Sequence, residues 1–160
     1  MAHDKQDSKK QKYKVGQVLA IPLPDKRFAY GKVFNDLDVG VYDLLSDDIK
    51  PVEQVVKHKI LFYSAVTSSA VKNGDFLVIG EQKFPDEESA WAPPMVMGIN
   101  PEDHSDGFLH IAHKGDVRGA SPEQATGLDI RVFSQRPDLF VRLIVDRLVE
   151  KNNLKYRYAP

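Results

Sequence analysis

The sequence predicts an α+β fold, mostly antiparallel β in a bent sheet or partly open small barrel, with a C-terminal amphipathic helix packed on it. Three observations predict it. Runs rich in β-branched and aromatic residues recur from residue 18 to residue 113, punctuated by Pro, Gly, Asn and Asp. An apolar stripe at helical spacing occurs at 139–149. With 160 residues, the chain has room for about one ordinary domain.

The elements follow in order. Residues 18–23 read as a strand, Pro24-Asp25-Lys26 as a turn, and 27–35 as a second strand with Phe28, Tyr30 and Phe34 in period two. After a polar turn at 35–38, residues 39–45 form a third strand. Pro51 stands at a first helical position behind Asp47 and Asp48, where only a short helix fits. Residues 59–66 read as a fourth strand, Lys72-Asn73-Gly74-Asp75 as a turn and 76–79 as a short strand closed by Gly80. An acidic, proline-bearing loop at 81–94 surrounds Trp91, and strands follow at 95–99 and 108–113.

The last third changes character. Ser121-Pro122-Glu123-Gln124 is a capping box, in which serine and glutamine satisfy each other's backbone donors across one helical turn that Gly127 ends. Residues 128–133 read as a short extended piece. Pro137 then starts a helix with Leu139, Phe140, Leu143, Ile144, Leu148 and Val149 on one face and Asp138 and Arg142 paired at i,i+4, which Asn152-Asn153 stops. The division expected is a disordered basic tail at 1–13, one globular domain at 14–151, and a tail or edge strand at 152–160.

Composition excludes several classes of function. There is no cysteine, so disulfides, zinc ribbons, iron-sulfur clusters and thiol catalysis are ruled out, and a reducing compartment fits. No apolar run is long enough to span a bilayer, and residues 1–14 carry five lysines with no apolar stretch behind them, unlike a secretory signal. Cytoplasm is the expected location. The net charge of −1 hides a basic start of +3, an acidic body of −8 over 15–130, and a basic end of +4. An acidic body repels phosphate, which makes nucleic acid an unfavourable partner despite the Lys155-Tyr156-Arg157-Tyr158 tail.

Candidate chemistry is sparse. His104, His110 and His113 lie near Glu102, Asp103, Asp106 and Asp116, but strand residues three apart point to opposite faces and chelate one ion only across a bulge. Neither Ser64, Ser68, Ser69, Ser105 nor Ser121 stands in a Gly-x-Ser-x-Gly elbow, and the chain has no phosphate-cradling glycine loop. No cofactor is expected. The acidic clusters say more: Asp36, Asp38, Asp43, Asp47 and Asp48 fall within fourteen residues that hold no base, and Glu87 and Glu88 lie close to Trp91. Converging on one side, they would steer a basic protein partner, with Trp91, Tyr42 or Phe84 as apolar anchors. Most charge clusters, however, are ordinary solvated surface.

A set of short motifs carries a resemblance. Lys14-Val15-Gly16-Gln17-Val18-Leu19-Ala20-Ile21-Pro22-Leu23-Pro24-Asp25, followed by Arg27-Phe28-Ala29-Tyr30-Gly31-Lys32-Val33, resembles the opening of the bacterial immunity protein 26 family. Val39-Gly40-Val41-Tyr42-Asp43, Val78-Ile79-Gly80, Pro93-Pro94 and Glu123-Gln124-Ala125-Thr126-Gly127-Leu128 extend the likeness over about residues 14–150, with Phe76 where a family tryptophan is expected. The resemblance implies a mostly β cytoplasmic immunity protein of a polymorphic toxin system that binds and neutralises a cognate toxin. An acidic inhibitor suits a basic nuclease as that toxin. The same region is similar to a coroxon-hydrolysing phosphotriesterase group, so a metal-assisted hydrolase is an alternative, as is a binding module unrelated to toxins.

Overall fold

A computed structural model describes residues 10–99, 106–131 and 136–151. Strands β1 (Gln17–Pro22), β2 (Phe28–Val33), β3 (Asp38–Tyr42), β4 (Ile60–Ala65) and β5 (Leu77–Glu81) form one antiparallel sheet in the order β4-β3-β2-β1-β5. Helices α1 (Val52–Val55) and α2 (Ser69–Lys72) lie in the connections either side of β4. The second sheet has the order β8-β7-β6-β9, from β6 (Met95–Ile99), β7 (Asp106–His113), β8 (Asp116–Gly119) and β9 (Asp129–Ile130), with β9 parallel to β6. The fold is α+β with two open sheets and no closed barrel.

Alternation along the strands explains the layers. Leu19, Ile21, Ala29, Val33, Val39, Val41 and Phe62 share a core with Phe140, Ile144 and Leu148 from the C-terminal helical segment. Alternate positions Val18, Ala20, Tyr30 and Tyr42 face the other way and pack with Val52 and Val55 of α1. The first sheet is therefore covered on both faces, which is why its central strands read as continuous apolar runs. Close packing also requires a glycine at 31, since a Cβ there would meet Val39 Cγ1 at 2.6 Å.

The β2–β3 hairpin closes through Asn35–Asp38, with Asp36 and Leu37 both left-handed at φ 64° and 62°. The Asp38 amide returns to the Asn35 carbonyl at 3.4 Å, which makes this a type I′ turn, the form whose twist matches the strands it joins. The capping box forms as read, Ser121 and Gln124 exchanging hydrogen bonds at the start of α3 (Pro122–Ala125).

The C-terminal helix α4 (Pro137–Ile144) continues into a π-helical turn, Val145–Val149. Its buried face is narrower than the sequence stripe: Phe140, Ile144 and Leu148 are buried, whereas Leu139 and Val149 are each 38% exposed. The π turn shifts the helical phase and brings Arg147 inside. Asp138 pairs with Arg136 two residues before it, at 2.8 Å, rather than with Arg142, because Arg136 grips both carboxylate oxygens from the helix entrance.

The Gln11 side chain donates to the carbonyls of Val71 and Phe76 at 2.8 and 2.7 Å and accepts from the Val78 amide at 2.9 Å, closing the α2–β5 turn. Strand β8, which the sequence leaves unassigned, pairs antiparallel with β7 although all four of its residues are exposed. The expected tail at 152–160 and most of that at 1–13 lie outside the described residues. Among those described, no helix is long and apolar enough to cross a membrane.

Candidate functional site

One end of the first sheet meets the second sheet in an acidic crevice. The β2–β3 turn supplies Asp36, the first residue of β3 supplies Asp38, and the residue after β9 supplies Arg131. Trp91 follows a 3₁₀ turn (Glu88–Ala90), and the β7–β8 hairpin brings His113, Lys114 and Asp116. Backbone bonds hold the parts in place: the Asn35 amide donates to the Ala90 carbonyl at 2.9 Å, and the Arg131 amide to the Val96 carbonyl at 2.9 Å. Asp86 shapes the 3₁₀ turn by accepting from the Ser89 amide at 2.8 Å.

The inner part of the crevice is a cavity of about 30 Å³ lined by Asp36, Asp38, His113 and Arg131 among others, the scale of a single water. It opens outward beside a hollow of about 530 Å³ bordered by Asn35, Asp36, Glu87, Ala90, Trp91 and Gly115. Asp36 and Trp91 line both.

Electrostatics set the inner wall apart. Arg131 Nη2 lies 2.9 Å from Asp38 Oδ1, and Arg131 Nη1 lies 3.7 Å from Asp36 Oδ2. Burial pushes the Asp38 carboxyl up to about 6; the Arg131 charge opposes that rise and the Asp36 charge adds to it. Burial likewise pushes the Tyr13 phenol up to about 12, helped by the charges of Asp38 and Asp36. Arg131 engages Asp38 Oδ1, whereas the Tyr13 hydroxyl and His113 Nδ1 are buried atoms that complete no hydrogen bond among the described residues. At the rim, Lys114 pairs with Glu88, whereas Glu87 is exposed and has no side-chain partner among the described residues.

The acidic residues singled out in the sequence divide between two ends. Asp36, Asp38, Glu87, Glu88 and Trp91 come together at the crevice. Asp43, Asp47 and Asp48 lie at the opposite end, where Ser46 bridges Phe28 at the start of β2, six residues or roughly 20 Å from the crevice turn. Two side chains offered as surface contacts are interior. Asp38 is 5% exposed and engaged by Arg131, and Tyr42 is buried in the α1 core with its phenol pushed up to about 12. Phe84 is half-buried, with its ring 4.9 Å from that of Phe34 and beneath the Lys32 ammonium at 3.9 Å.

Of the histidines, His104 lies outside the described residues, His110 sits opposite Met97 and Gly119 within the second sheet, and His113 faces the crevice. Among the described residues, no three His, Asp or Glu side chains are placed to hold a metal ion. Sequence reasoning missed Arg131, Tyr13 and His113 as parts of this site. Arg131 is 93 residues from Asp38, and no local pattern announces such a pairing.

Fold and site together define a two-sheet α+β domain with a crevice lined by Asp36, Asp38, Trp91 and Arg131 where the sheets meet. The family model for Immunity protein 26 matches residues 14–104, more than half of the chain, and the chain belongs to that family. The match takes in the whole first sheet, Trp91 and β6; Arg131, β8 and the C-terminal helix lie beyond it. No curated protein and no solved structure matches the chain.

Proposed function

We propose that this protein is a cytoplasmic, non-enzymatic immunity protein that binds a cognate toxin and neutralises it by occlusion, presenting the crevice end to a basic surface of the toxin. Family membership carries the reading. The geometry supports a specific contact surface, because Asp36, Glu87 and the half-buried Trp91 border one hollow, combining a negative rim with an aromatic anchor. Long-range attraction speeds the encounter, and the anchor slows release. A nuclease is the toxin class that suits this charge, since occupying its phosphate-binding surface blocks its substrate.

The test is capture of partners from a lysate of the source organism on the immobilised protein at low and moderate salt, followed by expression of the captured protein with and without this one. The expected result is one salt-sensitive partner that arrests growth alone and is harmless in the presence of this protein. A captured partner without toxicity, or toxicity that persists on co-expression, overturns the proposal.

A further inference from the structure

We infer that the free edge of β8 pairs with the same edge of a second copy of this chain, antiparallel about a two-fold axis at Val117, so that the second sheets of the two copies join into one. The inference goes beyond the immunity reading and does not rest on it.

β8 is the end strand of its sheet. All four of its residues are exposed, Val117 is 55% exposed, and a Cβ added at Gly115 or Gly119 would meet no atom within 4 Å. Pairing with β7 fixes the backbone phase of the open edge. The Ala120 amide donates to the Leu109 carbonyl at 3.0 Å, and Asp116 pairs with His113 across the Lys114-Gly115 turn, so the even-numbered residues turn their amides and carbonyls inward to β7. Val117 and Gly119 therefore turn theirs outward, where no strand meets them among the described residues. An open row of this kind is a template for another strand.

Charge selects both the occupant and the register. With Val117 opposite Val117 of the second copy, the two valines exchange a pair of backbone hydrogen bonds, and Asp116 stands opposite Arg118 of the second copy, twice over by symmetry. These charges fall at the non-hydrogen-bonded positions, where facing side chains stand closest. Neither Asp116 nor Arg118 has an ion-pair partner among the described residues. Sliding one strand by two residues sets Asp116 against Asp116 or Arg118 against Arg118, and sliding it by one sets an outward-facing backbone against an inward-facing one. One register is left. Edges that avoid association carry a proline, a bulge or charges that repel their own copy; β8 has no proline, keeps an unbroken register with β7, and carries charges that attract their own copy.

The full-length protein is followed by sedimentation equilibrium at low salt from about 10 μM to about 2 mM, where so small an interface is expected to give a dimer with a dissociation constant of about 0.1–1 mM. Asp116→Arg and Arg118→Asp each set like charges opposite one another in both symmetry-related pairs and should weaken the dimer at least about ten-fold. The double variant restores complementarity with the signs exchanged and should associate within about three-fold of the wild type. The wild-type amides of Val117 and Gly119 give a readout that needs no substitution, since their NMR signals should shift with protein concentration along the same curve while that of Asp47 stays fixed. Any of four results overturns the inference: a monomer throughout the range, association that either single variant leaves unchanged, a double variant no better than the single ones, or concentration-dependent shifts that spare Val117 and Gly119.

Discussion

Arg131 Nη2 meets Asp38 Oδ1 at 2.9 Å with both side chains more than nine-tenths buried, and this ion pair joins the two sheets. Its physical consequence is a carboxyl with an unusual titration. Asp38 should titrate with a midpoint of about 6, measured by carboxyl-carbon NMR. The groups that bear on it are Arg131, Asp36 and, on the buried side, Tyr13. Arg131→Gln moves the midpoint further up, since it removes the opposing cation, and Asp36→Asn moves it down. Because the folded value lies above the ordinary 3.8, the contribution of Asp38 to stability is full below about 4 and is lost as pH rises through about 6.

Leu37 adopts φ 62° at the second central position of the type I′ turn and is 38% exposed. A side chain there costs about 1 kcal/mol through contact of Cβ with its own carbonyl, and the shielded part of the leucine offsets only some of it. Leu37→Gly is therefore expected to raise unfolding stability by up to about 1 kcal/mol in urea titrations.

Gly31→Ala has the opposite sign. A Cβ at that position would stand 2.6 Å from Val39 Cγ1 and 3.4 Å from Ile21 Cδ1, within the best-packed part of the sheet. The expected loss is about 1–3 kcal/mol of stability, the usual cost of overpacking, read as a lowered urea midpoint.

Arg147 is buried in the π turn with its guanidinium 4.6 Å from the Phe62 ring centre and 3.9 Å from Asp129 of β9. It ties the C-terminal helical segment to both sheets. Arg147→Ala leaves a mostly buried carboxylate without its cation and should cost about 3 kcal/mol, whereas Arg147→Met combined with Asp129→Asn should recover more than half of that loss. Chemical denaturation of the two variants checks this.

The first sheet was legible in the sequence because each strand carries its own local signal: aromatic and β-branched residues in period two, bounded by Pro24-Asp25 or Asn73-Gly74. The Ser121–Gln124 capping box is equally local. Strand β8 was not legible, since Asp116-Val117-Arg118-Gly119 has no apolar alternation and owes its conformation to pairing with β7. The site was half visible. Asp36, Glu87 and Trp91 stood out by charge and residue type, but nothing local distinguishes Asp38, buried against a cation 93 residues away, from the exposed Asp47 and Asp48.

The account's central claim is that toxin binding runs through the crevice end of the first sheet. Its most direct test is the association rate with the cognate toxin, measured by stopped flow for the wild type, for Asp36→Asn with Glu87→Lys, and for Asp47→Lys with Asp48→Lys at the opposite end. Screening confines each charge to a range of about 10 Å at 0.1 M salt, well short of the other end. The crevice pair is expected to slow association about ten-fold or more, with the difference shrinking at high salt, while the opposite pair stays within about three-fold of the wild type. Equal rates for the crevice pair and the wild type, or slowing by the opposite pair alone, would contradict it.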